Sequence, residues 1–207
     1  MRRTSTVIMM LCLVVLLASC ASAPQADIDA AKAAIQAAKD AQADKYATAS
    51  LQSADDLINQ INTEVETQNA KFALFRNYDK VKELINQAKA AGEKAKADAI
   101  AGKEAAKKDA EASLAAAQQA VAAAKEILPK APKGKDTKAE IEAMTADVAG
   151  MDTAVTDVQS QISKEEYLDA AAKAKSIKEK ADGVAAQVQA AIDKKKGKKP
   201  AAKPAAK

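Results

Sequence analysis

The chain has 207 residues, 54 of them Ala and five aromatic, with 29% charged residues, a net charge of +4 and neither His nor Trp. Without His, the side chain best suited to proton transfer near neutrality and the commonest metal ligand are both missing, which excludes much enzymology.

Residues 1–19 read as a lipoprotein signal peptide. Arg2 and Arg3 form a basic n-region, and Val7 to Ala18 is an uninterrupted 12-residue apolar run. That length suits a secretory h-region and is too short to span a bilayer. The run ends in Leu17-Ala18-Ser19-Cys20, which resembles the lipobox of bacterial lipoproteins: small residues before the cut, then a thiol to be acylated. The resemblance implies that Cys20 becomes the mature N-terminus and carries two or three acyl chains, a lasting anchor at ~0.8 kcal/mol per buried methylene. The alternative is an ordinary signal peptide cut elsewhere, with Cys20 left as a free thiol. Cys12 lies in the discarded segment, so the mature chain has no cysteine for a disulfide. In lipoproteins of the enterobacterial type, Asp after the cysteine retains the protein in the inner membrane. Ala21 and Ser22 stand here instead, which implies the periplasmic face of the outer membrane.

From Cys20 onward Ile, Leu, Val and Phe make 28 of 188 residues, below the ~20% at which disorder becomes a live reading, but the net charge is only +2. Periodicity decides for helix. After a lipidated linker at 20–25, the first copy of a repeat (26–92) is expected to hold helices from about Gln25 to Lys45, about Ser50 to Asn69, and from Tyr78 onward. Its stripe Leu51, Ala54, Ile58, Ile61 and Val65 has the a/d spacing of a packed helix.

From Tyr78 to Leu128 there is no proline, and Gly92 and Gly102 are the weak points of a helix that at ~1.5 Å per residue measures about 76 Å. Its stretch 93–111 is nearly all Lys, Glu, Asp and Ala, and reads as a polar connecting helix bridging two bundles through solvent. The second copy (112–193) opens on the stripe Leu114, Ala117, Val121, Ala124 and Leu128. It continues through Ile141, Met144, Val148, Met151, Val155, Val158 and Ile162, and then Tyr167, Ala170, Ala174, Ile177, Ala181, Val184 and Val188. Capping boxes are expected at Thr137-x-x-Glu140 and Ser163-x-x-Glu166.

The copies align with Ile28 on Leu114, Leu51 on Ile141 and Tyr78 on Tyr167. The fold class expected is therefore all-α: an elongated, coiled-coil-like helical bundle of two three-helix repeats sharing one long helix, an architecture analogous to spectrin repeats. Ala-rich seams can pack within or between chains, so a homo-oligomer stays open.

The first copy resembles a family of small bacterial lipoproteins, the DUF4398 group. The likeness rests on the Ala-rich first helix, Tyr46-Ala47 with Leu51 and Ala54 beyond, and Asn77-Tyr78 opening a helix with Val81, Ile85 and Ala88. It implies a helical envelope lipoprotein and supplies no catalytic residue.

Cys20 to Asp193 carries 23 basic and 28 acidic residues, whereas Lys194 to Lys207 holds seven Lys and no acid. Gly197, Pro200 and Pro204 are expected to keep this tail disordered and extended, reaching ~46 Å. Polyanions are its natural partners, and with an export signal those are peptidoglycan or an acidic envelope protein rather than nucleic acid. The end in Lys207 resembles the major murein lipoprotein of enteric bacteria, whose terminal Lys amine is joined to peptidoglycan. Lys198, Lys199, Lys203 and Lys207 are the candidate contacts.

Other patterns carry less chemistry. Asp55-Asp56 and Glu165-Glu166 are adjacent in sequence and point about 100° apart on a helix, as solvated or capping charges do. Phe72 and Phe75 most simply close the bundle end, with partner docking as the alternative, and Tyr46, Tyr78 and Tyr167 bury their rings at bundle ends. No P-loop, Gly-rich dinucleotide turn or metal cluster is legible, so no cofactor, metal or catalytic residue is expected. The expectation is a non-enzymatic, lipid-anchored helical spacer or tether between outer membrane and cell wall. A helical adaptor or chaperone-like module for exported proteins is the competing reading.

Overall fold

An alanine at every third or fourth position lets helices approach closely but gives each contact only a methyl group to bury, so packing depends on the Ile, Leu, Val and Tyr side chains set among the alanines. The computed structural model describes residues 22–132, 134 and 137–197, and across them the chain is all-α. The helices are α1 (Gln25–Asp40), α2 (Ala43–Tyr46), α3 (Thr48–Asn69), α4 (Asp79–Ile127), α5 (Lys138–Ser163) and α6 (Tyr167–Gly197), with short 3₁₀ turns at Ala73–Phe75 and Leu128–Lys130. The chain divides into two compact units between Gly102 and Lys103, each drawing on part of α4.

In the first unit Ile28 of α1 is buried with Ile61 of α3 and with Tyr78, Val81, Leu84 and Ile85 at the start of α4. Ile35 and Ala38, later in α1, are buried with Leu51 and Ala54 of α3 and with Ala95 and Ala99 of α4. Hence α1 and α4 run parallel, with α3 antiparallel to both. Lys89 pairs with Asp27 at 3.3 Å and Lys39 with Asp55 at 3.0 Å across these seams. Both pairs are solvent-exposed, so they help fix register and each contributes no more than about 1 kcal/mol.

The two glycines expected as weak points of α4 have a packing reason. A Cβ on Gly92 would lie 3.0 Å from the backbone of Ala34 and Ile35 in α1, and one on Gly102 would lie 2.5 Å from the carbonyl oxygen of Tyr46. At Gly102 only glycine allows the approach, and at Gly92 any side chain needs α1 to give way slightly.

The second unit has the same order. Asp157 of α5 pairs with Lys173 of α6 near their connecting turn, Asp152 of α5 with Lys125 of α4, and Asp109 of α4 with Lys175 of α6. Its buried side chains include Ala117, Val121, Ala124 and Leu128 of α4 and its 3₁₀ extension, Val148, Met151 and Val158 of α5, and Tyr167, Ala174, Ile177, Ala181, Val184 and Val188 of α6. Most of the predicted stripes are thus inward, while Leu114 is half-buried and its neighbour Ser113 is buried instead.

Several expectations are corrected. The first helix stops at Asp40 rather than Lys45: Gln42 takes a left-handed φ of 65° and its N–H bonds to the Lys39 carbonyl at 2.8 Å, a turn made without Gly or Pro. The stretch 93–111 is not polar all round, because Ala95, Ala99, Ala106 and Ala110 form buried faces at i, i+4 spacing. Neither capping box forms. The Thr137 hydroxyl donates to the Pro132 carbonyl at 2.8 Å and accepts from the Gly134 N–H at 3.0 Å, so it stitches the preceding loop. Ser163 is the last residue of α5 and donates back to the Gln159 carbonyl at 3.0 Å. A turn with Glu165 left-handed at φ 63° follows, and the Glu166 N–H bonds to the Gln161 carbonyl at 3.0 Å. Finally, α6 continues to Gly197, four residues into the expected tail.

Candidate functional site

The turn from α3 to α4 is the most elaborately bonded surface feature of the first unit. Its anchor is Tyr78, whose ring is buried and whose hydroxyl donates to Asn69 Oδ1 at 2.6 Å, tying the end of α3 to the start of α4. Gln68 is also buried: its Nε2 donates to Glu64 at 2.7 Å, and its Oε1 accepts from the Asn77 N–H and from Lys71 Nζ, each at 3.1 Å. The Arg76 guanidinium donates to the carbonyls of Lys71 and Asn69 at 3.1 and 3.0 Å, and Asn77 Oδ1 accepts from the Asp79 N–H at 2.7 Å. With its polar groups so engaged, the turn holds one shape. That shape turns Phe72, Leu74 and Phe75 outward, 69%, 79% and 75% exposed, with the two rings tilted and their centroids 6.4 Å apart.

Phe72 and Phe75 therefore do not close the bundle end; Tyr78 does. Between them runs a 3₁₀ turn, closed by the Phe75 N–H on the Phe72 carbonyl at 2.9 Å, in which Ala73 is half-buried while Phe72, Leu74 and Phe75 are exposed. The sequence pattern gave no periodic signal here, because a three-residue turn has no face to repeat.

The remaining predicted positions carry local roles. Cys20 and the candidate contacts Lys198, Lys199, Lys203 and Lys207 lie outside the described residues. Tyr167 is buried like Tyr78, and Tyr46 is half-buried beside Gly102. Asp55 accepts from Lys39 at 3.0 Å and Glu165 from Lys103 at 2.6 Å, so one carboxylate of each adjacent pair is engaged in an ion pair. The Lys103 hydrogen bond holds Glu165 below the usual carboxylate range. The Lys80 hydrogen bond, helped by Gln68, does the same for Glu64, and Lys94 with Ser50 does so for Asp98. No metal-holding group of His, Cys, Asp and Glu occurs among the described residues, and none of their helices is long and apolar enough to cross a membrane.

The second unit offers shallow grooves. One of about 340 Å³ is lined by Leu128, Ile141 and Val148 at the α4–α5 connection, and another of about 550 Å³ runs past Gly150, Met151, Gly183 and Val184 between α5 and α6. Compared with protein-family models, with curated proteins and with solved structures, the chain matches none.

Proposed function

We propose that this chain is a non-enzymatic, lipid-anchored lipoprotein of the bacterial envelope, a helical spacer or tether between the outer membrane and the cell wall. The observation that carries the reading is the basic n-region, 12-residue apolar run and Leu17-Ala18-Ser19-Cys20 in register, followed at once by a packed body in which Ala23 already touches the first core. Acyl chains on Cys20 then fix one end of the chain in a leaflet. At the other end, the Lys-rich segment supplies cations for peptidoglycan or an acidic envelope protein. The like order of helices in the two units supports a duplicated three-helix repeat of spectrin-like architecture, and the family implied is the DUF4398-like group.

Mass spectrometry of the N-terminus tests the anchor: a diacylglyceryl thioether on Cys20 is expected, and an unmodified cysteine refutes it. Co-sedimentation with purified peptidoglycan tests the tether. Binding by the full chain and its loss on deleting 194–207 are expected, whereas an intact chain that stays in the supernatant overturns the wall-binding role. Retention after boiling in detergent identifies a covalent link through Lys207. The grooves on the second unit favour the adaptor reading instead, and under it exported proteins bind with the tail deleted.

A further inference from the structure

Among the described residues, the first unit carries its largest exposed apolar feature at the same end as Ala23. Ala23 packs against the cluster that contains Ile28 and Tyr78, so the first described residues, the end of α3 and the start of α4 share one end of this bundle. Phe72, Leu74 and Phe75 project from the turn between those last two elements. Cys20 is two residues before Ser22, which the covalent chain limits to about 7 Å of separation. Exposed Ile100 and Leu168 are, by contrast, single side chains of the ordinary surface kind.

We propose that the Phe72-Leu74-Phe75 tip is a second membrane contact, seated in the interfacial region of the leaflet that holds the acyl chains of Cys20. The proposal rests on the lipid-anchor reading above. Three features of the tip match a lipid surface. It is a convex turn rather than a groove, so it can enter the headgroup layer without needing a complementary pocket. Lys71 and Arg76 flank the apolar point, and the adjoining Asp79 is paired with Lys82, so the turn keeps a net positive charge that suits anionic headgroups. Its hydrogen bonds hold the three side chains outward before any contact, so little ordering entropy is lost on insertion. An anchor two residues before Ser22, at the same end of the bundle as the tip, also raises the effective concentration of the tip at the surface, as linked binding elements do. Two attachment points at one end, unlike a single flexible one, fix the tilt of the first unit against the membrane.

The chain has no Trp, so a single Phe75→Trp substitution provides a reporter without competing signal. The full protein, extracted from cell membranes and reconstituted into vesicles of phosphatidylethanolamine and phosphatidylglycerol, is the sample. Ile100→Trp, at the far end of the same unit, is the control. The expected result is blue-shifted emission from position 75, quenched by brominated acyl chains and protected from aqueous iodide, with the opposite pattern at position 100. Iodide quenching at position 75 while mass spectrometry shows Cys20 acylated overturns the tip proposal and leaves the anchor standing. Protection from both quenchers, which means a protein partner or a second copy covers the tip, also overturns it. An unmodified Cys20 overturns the anchor reading and this proposal together.

Discussion

Gly102 in α4 lies so close to Tyr46 that a Cβ at position 102 would stand 2.5 Å from the Tyr46 carbonyl oxygen, a backbone atom that cannot turn aside. Gly102→Ala therefore has to displace α2, and the expected loss is about 1–3 kcal/mol despite alanine's better helix propensity. Gly150 and Gly183 have open space where a Cβ would go. Alanine at either position should stabilise the chain by roughly 0.5–1 kcal/mol. Urea melts of the three single variants check both signs.

Acid should weaken the fold. Glu64 and Glu165 are held below their ordinary 4.5, and Asp79 and Asp98 below their ordinary 3.8, chiefly by hydrogen bonds from Lys80, Lys103, Lys82 and Lys94. A carboxylate with a lowered folded pKa contributes stability that is complete above the unfolded value and disappears as pH falls through the folded one. With no His to titrate, the melting temperature should be nearly level from about pH 6 to 9 and fall below about pH 4. Lys80→Met and Lys103→Met should each make the acid limb shallower, as thermal melts across that range would reveal.

Tyr78→Phe keeps the buried ring and removes the hydroxyl that bonds Asn69. The global cost should be about 1 kcal/mol. Amide exchange should accelerate most over residues 69–78, because the turn loses a strut that joins α3 to α4. Uniform acceleration across the unit instead would mean that the turn has no separate stability.

Gln42 combines a left-handed backbone with a buried Oε1 that has no hydrogen-bond partner among the described residues. Gln42→Gly relieves both, and a gain of about 1 kcal/mol is expected in thermal or denaturant melts. Glu165 shares the left-handed geometry, but its carboxylate is engaged with Lys103, so Glu165→Gly should gain less.

Helix was legible in the chain because Ile, Val and Met recur at 3,4 spacing, and stripes such as Val148, Met151 and Val158 are buried as that spacing requires. Ala95 and Ala99 were not legible as core, since hydropathy averaged over a Lys- and Glu-rich window hides a one-methyl face. Nor was the break at Gln42, where tertiary packing of Ala43 rather than a glycine or proline sets the turn. The Phe72–Phe75 tip was legible as a turn but not as an exposed surface. Its direction follows from hydrogen bonds of Gln68, Arg76 and Tyr78, which no period encodes.

The parallel pairing of the first and last helix of each unit imposes an order in time. Asp27 meets Lys89 across 62 positions of chain, Lys103 meets Glu165 across 62, and Asp109 meets Lys175 across 66. A chain that emerges N-terminus first can pair the Ile28 end of α1 with α4 once Tyr78 to Ile85 are present, but the Ile35 end stays half-covered until the residues around Ala95 follow. The first unit can then close before most of the second has emerged, so the part of α4 before Lys103 is already paired when the second unit forms.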